Sequence, residues 1–228
     1  MSNRKDYFVT GTDTEIGKTL VSCAILYGLV QHGWRSVGMK PVAAGAEWID
    51  GVWRNEDVTA LQAVSNVQAD LKLVSPYLFK MAAAPHIAAR QEQCQIEIEM
   101  ILQSYHQLRS LAKAVVVEGV GGFRVPFSAT EDSSDLAQQL ALPVVLVVGM
   151  RLGCISAALL TAEAIRARGL QLAGWVANSA QTEMAQLQEN ISALRERLEA
   201  PYLGYIPHLN HPDPGTAFGY LDLSVLFN

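Results

Sequence analysis

The sequence predicts a single α/β domain with a mostly parallel sheet and helices on both faces. Three observations predict it. Short β-rich runs alternate along the chain with segments of helical period. The run PVVLVV at 143–148 is apolar without alternation, as expected of a strand covered on both faces. The chain's 228 residues, 50% hydrophobic and 17% charged, suit one globular core rather than a disordered chain.

The elements follow in order. YFVT at 7–10 reads as the first strand. Residues 18–31 read as a helix, apolar at Leu20, Val21, Ala24, Ile25, Gly28 and Leu29, and Gly33 ends it. Residues 36–40 form a second strand, stopped by Pro41. Residues 55–64 are helical. Residues 96–113 carry a helix-period stripe of Ile101, Leu102, Tyr105, Leu108, Leu111 and Ala112. AVVV at 114–117 is a strand leading into Glu118 and Gly119. Ser133 or Ser134 caps a helix running to Leu140. After the buried strand at 143–148 comes a helix over 155–168, with Gly169 as its C-cap. A strand at 172–177, a helix at 183–198 and a last strand at 202–206 complete the alternation. In such sheets ligands bind beyond the carboxyl ends of the strands. The polar oddities of the sequence fall there: the loop 11–19, Lys40, Glu118-Gly119, 151–153, Asn178 and Pro207-His208.

The charge sum is −5, with 17 basic and 22 acidic residues. That balance argues against nonspecific nucleic-acid binding and against attraction to anionic membranes. Three cysteines without a CxxC pair suit reduced cytosolic thiols better than disulfides or a zinc site. The first residues, MSNRKDYFVTG, show no signal-peptide core. The longest apolar stretch, 141–150, is far short of the roughly 20 residues needed to cross a bilayer. A soluble cytoplasmic protein is expected.

GTDTEIGKT at 11–19 joins the first strand to the first helix, the context that a phosphate-binding P-loop requires. Backbone N–H groups there point at phosphate oxygens, Lys18 reaches the β and γ oxygens, and the Thr19 hydroxyl meets Mg²⁺. Five residues separate Gly11 from Gly17, so Thr12 stands at the usual first-glycine position. The mid-loop acids Asp13 and Glu15 are unusual beside a polyanion. ATPases of partitioning and septum placement carry a second lysine in this part of the loop; the position here is Asp13. A nucleotide–Mg²⁺ site also wants a carboxylate from a second strand. Glu118, ending VVVE and followed by GVGG, supplies one. Asp57 in RNED is a second candidate, although read alone it better suits a helix N-terminus or a surface acid.

GTDTEIGKT, MKPVAAG, RNED, VVVEGVGG, VVGMRLGC and WVAN, in that order, resemble the dethiobiotin synthetase family from the amino terminus to about Pro214. The resemblance implies a homodimeric P-loop fold. Its substrates would be ATP with Mg²⁺, CO₂ or bicarbonate, and 7,8-diaminononanoate. It also implies residue roles. Glu15, Ile16, Gly17, Lys18, Thr19 and Leu20 would contact ATP, with Thr19, Asp57 and Glu118 around the metal. Lys40 would be the catalytic lysine, with Lys18 beside it. Glu118, Gly119, Val120 and Gly121 would line the phosphates. Asn178 and Ser179 would meet the adenine, flanked by Pro207, His208 and Leu209. Thr14, Lys40 and Ala44 would face the diamine, Ala44 standing where the family often has serine. Arg151, Leu152, Gly153 and Ser156 would hold the substrate carboxylate at the dimer interface.

The family carries PHI where His86 stands, so His86 reads either as a loop residue near the substrate or as a packing residue. Cys154 and the tryptophans Trp34, Trp48, Trp53 and Trp175 read as packing residues. Two other functions stay open: a related P-loop synthetase making an amide or ring from another substrate, and an ATP-binding switch.

Overall fold

The computed structural model describes residues 4–180 and 184–227. Its first half contains β1 (Tyr7–Gly11), α1 (Lys18–Gln31), β2 (Ser36–Met39), β3 (Val42–Ala44), β4 (Glu47–Ile49), β5 (Val52–Arg54), α2 (Glu56–Val64), α3 (Leu71–Val74), β6 (Tyr77–Phe79) and α4 (Pro85–Gln91). The second half contains α5 (Ile98–Leu111), β7 (Ala114–Glu118), α6 (Ser133–Leu140), β8 (Val144–Gly149), α7 (Cys154–Ala167), β9 (Leu172–Asn178), α8 (Leu187–Arg197), β10 (Tyr202–Ile206), α9 (Pro214–Phe218) and α10 (Ser224–Phe227).

Six strands form the central sheet in the order β10-β9-β8-β1-β7-β2. Every neighbouring pair is parallel, so all six strands end at one edge. The chain first builds toward β2 and then crosses over β1 to add β8, β9 and β10. The strand order therefore reverses beside β1, where α/β sheets open a ligand crevice. Successive strand residues feed opposite faces. Val115 and Val117 pack on one side with Ile101, Leu108, Leu136 and Trp175. Ala114 and Val116 pack on the other with Val21, Ile25 and Leu29 of α1. Both sides are apolar because helices cover both, which is why β7 and β8 read as unbroken valine-rich runs.

α1 lies between the sheet and the C-terminal segment. A Cβ at Gly28 would lie 2.5 Å from the Phe218 ring and 2.9 Å from that of Phe227, so glycine is what lets both rings reach the helix. The Tyr7 hydroxyl donates to the Leu226 carbonyl, tying this segment back to the first strand. No helix among the described residues is long and apolar enough to cross a membrane.

Several expected features shift. Asp132, not Ser133 or Ser134, caps α6: its carboxylate accepts from the Ser134 N–H, and Asp135 answers by accepting from the Asp132 N–H. The helix expected over 96–113 is trimmed to α5, with Ala112 already extended. Lys40 leaves the main sheet, its N–H donating to Val74 O at 2.8 Å. Glu183, the expected start of the helix over 183–198, lies outside the described residues, and α8 begins at Leu187. Trp175 is fully buried, but Trp48 and Trp53 are exposed on the β4–β5 hairpin. That hairpin stands off the sheet. Its two indoles pair edge-on with each other, and Lys80 lies over the Trp53 ring.

Candidate active site

The parallel register brings the polar residues together. Met39 pairs with Val117, so Lys40 emerges beside Glu118 at the carboxyl edge. Val9 pairs with Glu118, so the loop after β1 rises next to both. These residues border a cleft of about 1480 Å³ that also takes in Thr14, Glu15, Gly17, Ala44, Val120 and Gly121.

At its centre is a buried charge cluster. The Lys40 ammonium donates to Glu118 Oε1 at 2.6 Å and to the Gly119 carbonyl at 3.1 Å, and lies 2.9 Å from Asp57 Oδ2. The Thr19 hydroxyl lies 2.7 Å from Asp57 Oδ1 and 2.9 Å from Glu118 Oε1, its one proton serving one carboxylate at a time. Lys40 is 4% exposed and Glu118 is 1% exposed. Burial acts to lower the Lys40 pKa, but the Glu118 and Asp57 carboxylates outweigh it and hold the ammonium above its ordinary value. Burial acts to raise the Asp57 pKa, yet Lys40 and the Thr19 hydroxyl hold it below the usual carboxylate range.

Lys18 differs. Its ammonium donates to the Asp13 carbonyl at 2.7 Å, inside the loop. Burial, reinforced by the Lys40 charge, pushes its pKa down to about 8, against the pull of Glu118, Asp57 and Asp13.

Local sequence sets these positions. The Asn55 side chain caps α2 by accepting from the Asp57 and Val58 N–H groups. It also donates to the Ala44 carbonyl at 3.1 Å. Asp57 is thereby fixed in the first turn of α2, facing Thr19 and Lys40. Asn55 is a site-building residue missed in the sequence, although an asparagine ahead of Glu56-Asp57 is an N-cap signature. Gly17 adopts φ +80°, and a Cβ there would strike the Asn178 amide. Asn178, at the end of β9, donates to the Ile16 carbonyl at 2.6 Å while its Oδ1 is buried without a partner.

The remaining expected residues fall into four groups. Ile16 is buried beneath the loop against Gly149, and Leu20 packs toward the α1 core instead of the cleft. Ser179 accepts from the Tyr205 hydroxyl at 3.1 Å, and His208 Nδ1 lies 3.2 Å from the Ala180 carbonyl. Pro207 and Leu209 flank His208 on the segment after β10, with Leu209 packed on the α1-side core. Arg151, Leu152, Gly153 and Ser156 are exposed at the turn into α7, off the cleft lining. His86 is the second residue of α4, with Nδ1 buried and unpartnered. Pro85 beside it borders the cleft.

Among the described residues, no group of three or more His, Cys, Asp and Glu side chains is arranged to hold a metal. Thr19, Asp57 and Glu118 nonetheless fit a hard cation that draws its other ligands from phosphate and water. Glu118 Oε2 is a buried acceptor with no partner, which such an ion would satisfy.

A six-stranded parallel sheet whose first strand runs through GTDTEIGKT into α1 defines a P-loop nucleotide-binding protein. Solved structures share the fold. A ParA family ATPase from Chlorobium tepidum matches 91% of this chain and 86% of its own, with TM-score 0.56 at 12% identity. A chain of the MinC:MinD cell division protein complex of Aquifex aeolicus matches 90% of this chain and 82% of its own, with TM-score 0.55 at 14% identity. A family model described as an AAA domain matches residues 5–215. The ATP-dependent dethiobiotin synthetase BioD of Aromatoleum aromaticum is 52% identical over 223 residues, covering 98% of this chain and 99% of the relative. That of Janthinobacterium sp. (strain Marseille) is 52% identical over 225 residues, covering 97% and 95%. The chain belongs to the dethiobiotin synthetase family and is a nucleotide-binding enzyme of the ligase class.

Proposed function

We propose that this enzyme closes the cyclic urea of dethiobiotin from 7,8-diaminononanoate, CO₂ and ATP, releasing ADP and phosphate, and that residues 1–228 act as one catalytic domain. The observation that carries this reading is the convergence of Lys18, Thr19, Lys40, Asp57 and Glu118 on one cleft. One amine of the diamine adds to CO₂ and loses a proton, giving a carbamate. A carbamate oxygen takes the γ-phosphoryl group, and the bond to ADP breaks. The second amine then attacks the carbamate carbon; phosphate leaves, a proton is lost and the ring is closed.

The phosphoryl transfer brings two anions together, the carbamate and the γ-phosphate. Lys40 stands between two carboxylates with its charge held on, so it can turn toward carbamate or γ-oxygens without first acquiring a proton. Lys18 would leave the Asp13 carbonyl for the phosphates. Mg²⁺ would be held by Thr19, Asp57 and Glu118, and when bound it supplies charge neutralisation at the phosphates. Asn178 would use its free Oδ1 to accept from the adenine amine. Ala44 lines the cleft without a hydroxyl, leaving the diamine to its other neighbours.

Arg151 would pair with the substrate carboxylate, its planar fork matching the two oxygens. The proposed assembly is a homodimer, supported by Leu152 at 96% exposure and Leu160 at 64% on the adjoining face of α7. A cytoplasmic setting suits the three unpaired cysteines.

Phosphate release from ATP, measured with bicarbonate and with or without 7,8-diaminononanoate, tests the reaction. Release that requires the diamine is expected; release indifferent to it overturns the reading.

A further inference from the structure

An acid in the middle of a phosphate-binding loop is a liability unless something else uses its charge. Asp13 is used on three sides. Its carbonyl accepts from Lys18 at 2.7 Å. Its Oδ1 accepts from the Thr14 N–H at 2.8 Å, which fixes the carboxylate plane. Its Oδ2 then takes the Arg151 guanidinium.

The partnership follows from topology. β1 and β8 are adjacent and parallel, with Gly11 beside Val147. The two turns that follow them therefore rise together, and Thr12 cross-links them through Val147 O and the Gly149 N–H. Asp13 and Arg151 meet just above. Their side chains are 47% and 62% exposed, so the pair adds little to folding. Its effect is on orientation. An arginine carries five N–H donors, and Asp13 engages one terminal nitrogen, leaving others for a ligand. An unpaired guanidinium this close to the loop would also be drawn to the nucleotide phosphates.

We infer that Asp13 is a positioning residue for the acid end of the substrate: it holds Arg151 off the nucleotide and aims it at the substrate carboxylate. This rests on the proposal that Arg151 binds that carboxylate, and the experiment separates the two.

Asp13→Asn keeps an acceptor for the Thr14 N–H but loses the charge, so the loop is retained. Steady-state constants would be measured for Asp13→Asn, Arg151→Ala and the double variant, with 7,8-diaminononanoate and with its uncharged methyl ester. Thermal midpoints would be recorded alongside. Arg151→Ala is expected to raise KM for the acid roughly 10–100-fold. Asp13→Asn is expected to raise it about fivefold, with kcat and the KM for ATP within twofold. On the ester it should match the wild type, and in the Arg151→Ala background it should add nothing.

No effect of Arg151→Ala on the acid overturns the Arg151 reading and the inference with it. An Arg151→Ala effect accompanied by a silent Asp13→Asn overturns the inference alone. So does an Asp13→Asn penalty equal on acid and ester, or a rise in KM for ATP with a lowered midpoint, since these mark a damaged phosphate loop.

Discussion

In the proposed reaction, Lys40 is the residue on which the chemistry turns. Two carboxylates and a carbonyl hold its ammonium in a site with almost no solvent. Replacing it by glutamine would remove a positive charge fixed where, in the proposed reaction, charge grows during phosphoryl transfer, while the phosphate loop is untouched. Lys40→Gln should therefore lower turnover by roughly 10²–10³, with ATP binding within several-fold of wild type. Turnover and calorimetric ATP affinity, measured together, check this; near-normal turnover would take Lys40 out of the reaction. Lys18 makes a different prediction, in pH. In the free protein its pKa is about 8, lowered by burial. A polyphosphate favours the ammonium, so binding raises that pKa. Above pH 8 the free lysine is largely neutral, and ATP must bring a proton with it. Affinity should fall as pH rises through 8, and calorimetry near pH 8.5 in buffers of different ionisation enthalpy should show proton uptake. Lys18→Met should abolish the uptake.

At the scale of elements, α2 carries Asp57 to the lysine, and Asn55 starts α2. The Asn55→Ala variant loses the cap and the tether to Ala44 together. A stability loss of about 1 kcal/mol is expected from the cap, with a larger Mg²⁺ requirement because Asp57 is no longer fixed. Asn55→Asp keeps the cap and should recover the stability but not the tether. Urea melts and Mg²⁺ titrations of activity distinguish the two. The elements also show what a sequence discloses. The strand at 144–149 is legible because both its faces are covered, and α1 because Lys18 and Gly33 bracket a sustained apolar pattern. β3 and β6 are not, since each has three residues and exists through pairing Val42 with Tyr77 across the chain. The α6 cap was misplaced because three adjacent residues can all accept, and only the reciprocal bond from Asp135 selects Asp132. Within the site, Lys18, Thr19 and Glu118 are readable from motif and position. The contact of Asp57 with Lys40 depends on how α2 docks beside the end of β2, and that of Asp13 with Arg151 on the pairing of β1 with β8.

For the whole molecule, the P-loop helix is held from outside as well as from the sheet. Gly28→Val would drive a branched side chain into the Phe218 and Phe227 rings. A loss of roughly 1–3 kcal/mol is expected, although valine is the better helix former. The active site is remote from that contact, so the folded fraction should keep its kcat and KM. Denaturant melts with assays below the transition check both halves. Unchanged stability would mean that the C-terminal segment moves aside at little cost.

The same contact has a consequence for how the enzyme is made. α1 precedes β7 to β10 in the chain, and Phe218, Leu223, Leu226 and Phe227, which seal its outer face, follow them. β8, β9 and β10 must also be in place before the sheet is complete. A chain emerging in sequence order therefore carries the outer face of α1 uncovered until the C-terminal segment follows, so the covering of this face is a late event in folding. A transiently uncovered apolar face of this kind is the surface that holding chaperones shield.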